Sequence, residues 1–420
     1  MKNKIQKQII IVLFATIFLP ELIQAQFTMT GEYRPRFEYR NGYKELGDSS
    51  TLPAYIAAQR TRGGFKFKND NLEAAFTLQD SRVWGEVKPK DDIASVQVYE
   101  AWFELPLSKV FKLKIGRQEV KYDDERLLSS ANWNNVGTTH DLAMLKYKGK
   151  DMDIHCGMAY NNASEIYHGA NYAVKTYKTL NYLWINKKLN KEFSLSFLDV
   201  ADGFNKEESV DVIYLRNTVG IFGEYKNDSL GLTVNGSGYY QSGKNKAGTE
   251  IGAFLFSLKA DFFITKKLDI LAGYDYYSGN DYTDTANEKV NYFSNLYGSG
   301  HRFLGSMDYF TAPEHTAGAG ITDIFGGIGY KITDKWSSQL FYHSFAISGE
   351  IPDFTSATLT GVDKGLASEI DLLFILKLNQ MVNINFGYST LMGKETLSLV
   401  QLGDYEKTSH WGFVMINVKL

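Results

Sequence analysis

Residues 28–40 read TMTGEYRPRFEYR, and their side chains alternate between two chemical types. The even-numbered positions are polar, namely Thr28, Thr30, Glu32, Arg34, Arg36, Glu38 and Arg40. The odd-numbered positions are mostly apolar or aromatic, namely Phe27, Met29, Gly31, Tyr33, Pro35, Phe37 and Tyr39. Successive side chains of a β-strand point to opposite faces, so this stretch predicts a strand with one charged face and one apolar face. A soluble β-sandwich can contain one such strand, whereas a membrane β-barrel consists of them.

The alternation recurs along the whole chain, in residues 72–79, 152–160, 193–197, 216–226, 254–262, 268–276, 369–378 and 382–389. Short polar connections lie near 68–71, 106–109, 148–151, 188–191, 226–229, 265–268, 333–336 and 378–381, and longer ones lie between them at 41–53, 122–139, 161–176, 279–318 and 391–409. Outer-membrane barrels have this arrangement, with short periplasmic turns and long extracellular loops. Closure also removes the exposed edges that an open sheet of this length would have. The sequence therefore predicts an all-β fold, a transmembrane antiparallel β-barrel of about 18 strands (about 16–18).

The first 25 residues have the pattern of a secretory signal peptide. Lys2, Lys4 and Lys7 precede an apolar run at 9–19, and the small residue Ala25 offers a cleavage point. The apolar run is shorter than the roughly 20 residues that a spanning helix needs, although an uncleaved anchor is the alternative. Residues 1–25 are therefore predicted to be removed, and residues 26–420 to form a single barrel domain in the outer membrane of a Gram-negative cell.

Composition and charge exclude several other classes of protein. Mean hydropathy is −0.26, too low for a bundle of membrane helices but suited to a barrel, since half of each strand is polar. The net charge of −3 gives no reason to expect nucleic acid. Cys156 is the only cysteine, so no internal disulfide can form. The seven histidines are scattered, and HExxH, CxxC and GxSxG motifs are absent, so no catalytic residue, metal site or cofactor is predicted.

Arginines cluster on the polar parity of the first two predicted strands. Arg34, Arg36 and Arg40 lie on the first strand, and Arg60 and Arg62 lie on the second. Arginine on the lipid face costs about 2–4 kcal/mol near the membrane midplane, which directs these side chains into the lumen. Guanidinium groups bind carboxylates in a two-pronged geometry and stay charged, so they would form a track for anions. Alternatively, or in addition, they pair across strands and stiffen the wall, the candidate partners being Glu32, Glu38, Glu100 and Glu104.

Two further segments contribute candidate site residues. Glu100 and Trp102 on the fourth predicted strand face the lumen, where the indole is either a stacking platform for a sugar ring or a space-filling group. Strict alternation would direct Arg117 at lipid, so a β-bulge or bend at Gly116 is expected to reset the alternation and return it to the lumen. The long connection that follows either caps the channel from outside or folds inward, in which case the residues at the constriction are Asp123, Asp124 and Arg126.

Five segments in order carry a family resemblance: GEYRPRFEYRNGY (31–43), QRTRGGFKFK (59–68), LQDSRVWGE (78–86), VYEAWFEL (98–105) and LKIGRQEVKYDDERLLSSANWNNVGTTHD (113–141). Together they resemble the alginate export family of outer-membrane proteins. The resemblance implies a barrel of about 18 strands whose arginine-rich lumen passes a polyuronate, helped by loop constrictions. It assigns lumen positions to Arg34, Arg36, Arg60, Arg62 and Arg117. The chain ends in Leu420 and not in the terminal Phe common in such barrels, although residues 410–420 still have the pattern of a last strand.

The residues and the resemblance together predict a monomeric outer-membrane channel that passes an anionic polysaccharide or oligosaccharide by passive diffusion. A porin for small anionic or sugar solutes is the first alternative, followed by a barrel hydrolase and by a structural or adhesive barrel. The predicted partners are outer-membrane lipid, the barrel assembly machinery and the solute itself. A passive pore has no built-in direction, so export and uptake are both left open.

Overall fold

The computed structural model describes residues 26–420 except 92, 94, 163, 166, 169–175, 207, 208, 285 and 354–360. The predicted signal peptide, residues 1–25, lies outside the described residues. Within them, eighteen antiparallel strands form a single sheet. Each strand pairs with its neighbours in the sequence, and the last strand pairs with the first, with Arg36 opposite Met415. The sheet therefore closes on itself, which confirms the predicted barrel.

The strands are β1 (Gln26–Asn41), β2 (Ala54–Lys68), β3 (Glu73–Val83), β4 (Gln97–Pro106), β5 (Phe111–Gln118), β6 (His140–Lys148), β7 (Met152–Tyr160), β8 (Thr179–Lys188), β9 (Phe193–Lys206), β10 (Ser209–Asn227), β11 (Leu232–Lys244), β12 (Glu250–Phe263), β13 (Leu268–Tyr277), β14 (Ile321–Lys331), β15 (Trp336–Ala346), β16 (Gly365–Lys377), β17 (Val382–Gly393) and β18 (Ser409–Lys419).

One end of the barrel carries only short turns, at the positions that the sequence predicts. Several are closed by a polar side chain at the first turn residue, as where Asn69 Oδ1 accepts the backbone N–H groups of Asn71 and Leu72 at 2.9 and 2.8 Å. Asn190 and Thr333 make the same kind of contact. Such side chains satisfy turn N–H groups that the sheet leaves unpaired. The long connections are all at the opposite end, which is extracellular in barrels of this kind.

The two faces of the strands differ as the alternation predicts. On β12, Phe254, Phe256 and Leu258 point outward and are 46–48% exposed, whereas Ser257 between them is buried inside the barrel. Exposed apolar side chains on the outside of a closed barrel face lipid. Inner polar side chains bond to one another, as where Ser257 Oγ donates to the carboxylate of Asp275.

Two of the long connections fill the interior of the barrel. Loop A, residues 119–139, follows β5, and loop B, residues 278–320, follows β13. Their side chains Leu128, Met307 and Tyr309 are fully buried and belong to one apolar cluster with wall residues such as Phe345 and Leu366. The core of this protein is therefore made by loops packed against a barrel wall.

Helical structure is limited to short segments among the described residues. Loop B contains two 3₁₀ helices, Gly300–Arg302 and Pro313–Thr316, and the connection before β18 contains helix α1 (Glu395–Val400). None of the helices in the described part of the chain is long and apolar enough to cross a membrane.

Candidate functional site

Arginines of β1 and β2 bind the backbone of loop A. Arg34 Nη2 and Arg60 Nη1 both donate hydrogen bonds to the carbonyl oxygen of Asn134, at 2.8 and 3.1 Å. Arg62 Nη2 donates to the carbonyl oxygen of Val136 at 3.0 Å. Charge-assisted hydrogen bonds of this kind contribute about 1.5–3 kcal/mol each. The predicted lumen arginines therefore hold loop A in the lumen, and the predicted inward folding of that loop is what the structure shows.

Glu38 is the centre of a second contact between loop A and the wall. Arg36 Nε lies 2.8 Å from Glu38 Oε1, Arg40 Nη2 lies 2.9 Å from Glu38 Oε2, and Trp411 Nε1 donates to the same carboxylate at 3.0 Å. The Arg36 guanidinium also lies over the ring of Trp133 in loop A, 4.7 Å from its centroid, and donates to the Trp133 carbonyl at 3.1 Å. Glu38 thus orients arginine side chains that reach the loop.

Loop A covers much of this basic surface, here called the arginine wall, which consists of Arg34, Arg36, Arg40, Arg60 and Arg62. Arg34 and Arg60 are only 4% and 2% exposed. Arg60 Nε also donates to Glu32 Oε1 at 2.7 Å. With the loop docked, these two guanidinium groups face loop carbonyls and Glu32, so a solute would feel their charge without contacting them.

The tip of loop A crosses the lumen and binds the opposite wall through Arg126. Its Nη1 lies 3.0 Å from Asp275 Oδ2 on β13, and its Nη2 donates to Ser257 Oγ on β12 at 2.9 Å. Arg126 and Asp275 are 4% and 1% exposed. Burial lowers the pKa of the Arg126 guanidinium, but the attraction of Asp275, Tyr277 and Asp124 outweighs it and the pKa is raised. Arg126 is therefore charged, and loop A is anchored on both sides of the barrel.

Loop B packs directly on loop A. Tyr297 N donates to Leu127 O at 3.0 Å, and Ser129 N donates to Tyr297 O at 3.1 Å, which makes a short parallel bridge between the two loops. Arg302 Nη1 lies 3.0 Å from Glu125 Oε1. In addition, the His301 ring stacks on Trp133 with centroids 3.8 Å apart. The two loops therefore form one constriction.

Acidic side chains of β16 hold loop B from the other side. Glu369 Oε1 accepts the backbone N–H of Met307 at 2.8 Å. Asp371 Oδ2 accepts the N–H of Ser306 at 3.3 Å. His343 of β15 lies between the carboxylates of Asp323 on β14 and Asp371 on β16. Its Nδ1 is 2.7 Å from Asp323 Oδ2, and its Nε2 is 3.6 Å from Asp371 Oδ2. This surface, here called the acidic wall, consists of Asp275, Asp323, Glu369 and Asp371.

Two cavities adjoin the constriction. One, of about 250 Å³, lies between the acidic wall and loop B. The other, of about 350 Å³, lies under the tip of loop A against β8–β11. Asp124 lines both cavities. Arg126 lines the cavity beside the acidic wall, and Asp123 lines the cavity under loop A. Each of the three residues that the inward-folding alternative places at a constriction therefore borders one or both of these cavities.

Arg117 requires a correction, because it lies on the outer face of the barrel. The pairing of β5 with β4 and β6 is continuous through Gly116, so the bulge predicted at that glycine is wrong. Gly116 instead has φ +122°, and a Cβ there would lie 2.2 Å from the carbonyl oxygen of Ala101. The register shift lies on β4, where Thr77 and Leu78 of β3 face Glu100 and Val98.

The ion pair of Arg117 explains how a charge is tolerated on the outer face. Its Nη2 lies 2.7 Å from Asp141 Oδ2, and the two side chains are 42% and 57% exposed near the extracellular rim. Replacing Arg117 with glutamine should therefore leave the ion selectivity of the channel unchanged. Reversal potentials across a planar bilayer in a salt gradient would check this, and a shift toward cations would mean that Arg117 acts on the lumen after all.

The remaining predicted wall residues form local pairs on the inner face. Trp102 Nε1 donates to Glu100 Oε1 at 3.1 Å, and the Lys114 ammonium lies 3.7 Å from the centroid of the Trp102 ring. Glu104 accepts from Lys112 and Lys146 and not from an arginine. One face of the Trp102 indole is thus covered by a lysine, which argues against a free stacking platform on that face.

Sequence reasoning missed most of what holds the constriction together. The acidic wall, loop B residues Tyr297 and His301, and the loop A carbonyls were not predicted. A partial signal was available for Asp275, Asp323 and Asp371, because each places a carboxylate on the polar, lumen-facing side of its strand. No sequence signal marks a backbone carbonyl. The described residues include no group of three or more His, Cys, Asp or Glu that could hold a metal ion.

A closed barrel with two loops packed in its lumen defines an outer-membrane channel. The sequence matches the alginate export family over residues 25–397, and the chain belongs to that family. Family membership confirms two predictions: the protein is a transport channel and not an enzyme, and it lies in the outer membrane. No curated protein matches the sequence.

Solved structures show the same fold at low sequence identity. OpdL of Pseudomonas aeruginosa aligns with a TM-score of 0.63 at 12% identity, over 94% of this chain and 99% of that chain. OccAB1 of Acinetobacter baumannii aligns with a TM-score of 0.63 at 10% identity, over 94% and 96%. OccK11 (OpdR) of P. aeruginosa aligns with a TM-score of 0.60 at 11% identity, over 93% and 96%. The whole described chain is thus one barrel of this architecture.

Proposed function

We propose that the protein is a passive channel for anionic sugars, with short oligosaccharides of uronic acids as the favoured solutes. The observation that carries the proposal is the charge imbalance of the arginine wall. Five arginines share the inner face of β1 and β2 with two glutamates, Glu32 and Glu38. Hydrogen bonds to carbonyl groups satisfy the guanidinium donors but do not neutralise their charge, and arginine does not deprotonate. Anions are therefore concentrated near the constriction.

The acidic wall lies across the lumen from the arginine wall, so the two walls together set the direction of the electric field in the channel. Asp275, Asp323, Glu369 and Asp371 face the lumen from β13, β14 and β16, against Arg126 and His343 as basic neighbours. A positive surface facing a negative one produces an electric field across the channel. Such a field orients polar solutes and disfavours apolar ones, which supports sugars over lipids as the transported class.

The size of the cavities favours oligosaccharides over a polymer while the loops are docked. At about 250 and 350 Å³, the cavities lie at or below the lower end of the range for small-molecule sites, about 300–1,000 Å³. Passage of a polysaccharide would require both loops to leave the lumen. A porin for small anionic or sugar solutes is the second candidate, and the same cavity sizes support it.

Bilayer conductance tests the proposal. The purified protein should prefer anions in a salt gradient, and oligouronates added to one side should block the current transiently. A series of increasing chain length separates the two candidates, since a small-solute porin would be blocked by monomers and dimers only. Cation preference or the absence of conductance would contradict both. The same proposal includes three further expectations. Residues 1–25 are removed during secretion, the protein is a monomer, and the barrel assembly machinery inserts it into the membrane.

A further inference from the structure

The cavity of about 350 Å³ under loop A, here called the β8–β11 cavity, has a lining unlike that of the arginine wall. Its wall comes from the inner faces of four neighbouring strands, and its roof comes from the tip of loop A and from Arg302 of loop B. The arginine wall contributes nothing to it. Whatever binds here therefore meets none of those arginines. Four of the lining residues also line the cavity beside the acidic wall, namely Asp124, Phe222, Asn235 and Arg302.

Polar groups cross this wall as one continuous row. Ser194 of β9 faces Glu224 of β10, and Glu224 faces Asn235 of β11, in the register of the sheet. Asn235 Oδ1 is buried and has no hydrogen-bond partner among the described residues. Buried polar atoms are nearly always paired, so an unpaired amide oxygen in a cavity wall points to a hydrogen-bond donor supplied by a ligand or by water.

Aromatic side chains complete the lining. Trp184 and Phe222 both border the cavity. The Trp184 indole is held in place because it stacks on Tyr122 with centroids 4.7 Å apart and donates from Nε1 to Asp123 Oδ1 at 3.0 Å. Fixed apolar surface beside a row of hydroxyl, carboxylate and amide groups matches a sugar ring, which has apolar C–H faces and a rim of hydroxyl groups.

The charges of the cavity identify the kind of sugar. Its acids are Asp123, Asp124 and Glu224, and its one arginine, Arg302, is paired with Glu125. Carboxylates accept hydrogen bonds from hydroxyl groups but repel a uronate carboxylate. We propose that the β8–β11 cavity binds an uncharged, hydroxyl-rich sugar ring.

This inference rests on the proposed function, since a sugar must enter the channel, and it sharpens the substrate class. The arginine wall attracts uronates, whereas the β8–β11 cavity holds a neutral ring. The two together favour a mixed oligosaccharide, one that carries an uncharged residue beside a uronic acid.

Current blockade by a neutral disaccharide such as maltose tests the proposal. Maltose should block the wild-type channel transiently. A uronic acid dimer is attracted to the arginine wall instead, so its dwell time should not depend on Asn235. Replacing Asn235 with leucine should shorten the maltose dwell time about threefold to tenfold, the value expected for one lost hydrogen bond to a neutral group. Because the Asn235 oxygen has no partner among the residues that the structure describes, this change breaks no bond of that atom seen there.

Asn385 of β17 provides a matched control. Its Oδ1 is also buried without a partner in the described chain, but Asn385 does not border the cavity. Asn385→Leu should leave the maltose dwell time unchanged. Absence of maltose blockade in the wild type or equal effects of the two variants would each overturn the proposal. Ion selectivity, measured in the same membranes, reports on the arginine wall and so identifies a failure of the proposed function separately.

Discussion

Replacing Arg126 with methionine is expected to open the channel, raising its single-channel conductance and its current noise. The change removes the anchor of loop A on β12 and β13 and leaves Asp275 buried without its partner. Removing one member of a buried ion pair costs about 3–5 kcal/mol. That is enough to shift the tip of loop A from docked to released, and loop B loses its support through the bridge at Tyr297.

A double variant separates opening from loss of stability. Arg126→Met with Asp275→Asn removes both charges of the buried pair, so Asp275 is no longer left as an unpaired carboxylate, while the anchor is still lost. Asp124 loses its contact with Arg126 in both variants, so that loss cancels when the two are compared. Both variants should conduct more than the wild type, and the single variant should unfold at the lower temperature. Compact mobility on an unheated detergent gel would show that the barrel itself is intact. Wild-type conductance in both variants would contradict the anchor role.

Replacing Arg34 and Arg62 together with methionine is expected to reduce the anion preference of the channel markedly. Neither residue is ion-paired with a glutamate in the structure, since Arg34 binds loop carbonyls and Arg62 binds Gln79 and loop A. The change therefore subtracts two positive charges without exposing an unpaired acid. Reversal potentials in a salt gradient give the ratio of anion to cation permeability.

Lysine at the same two positions is the matched comparison. It keeps both charges but lacks the planar fork that lets arginine bind several carbonyl groups at once. The lysine pair should retain the anion preference. The free energy that docks loop A should fall by about 1.5–3 kcal/mol for each charge-assisted hydrogen bond that lysine does not replace. Weaker docking would be seen as increased current noise. If the methionine pair leaves the reversal potential unaltered, the arginines serve only to hold loop A.

The strands were predictable because lipid imposes one simple rule on them. Most lipid-facing positions of a closed barrel are apolar, and every second residue of a strand faces outward. Residues such as Phe254, Phe256 and Leu258 therefore identify the outer face without any knowledge of the partner strand. Turns were predictable for a similar reason, since Asn69 and Thr333 satisfy turn N–H groups within their own segment. Both signals are local.

The constriction was not predictable in the same way, because its contacts join distant parts of the chain. Arg126 meets Asp275, which lies 149 residues away, and Arg34 meets Asn134, which lies 100 residues away. The contact of Arg34 is with a backbone carbonyl, which every residue has. The error at Arg117 has a different cause, because strict alternation along β5 gives its outward direction correctly and the expected phase reset at Gly116 is absent.

The position of Trp133 has a consequence for assembly. Its ring lies against Arg36 of the first strand and 5.1 Å from the ring of Phe413 on the last strand. The surface that receives it is therefore incomplete until the two ends of the chain, the most distant segments in sequence, have paired. Contacts between such distant segments form late in folding. We expect narrowing of the channel to be the final step of biogenesis, so that a freshly inserted barrel is transiently wider and leakier than the mature one.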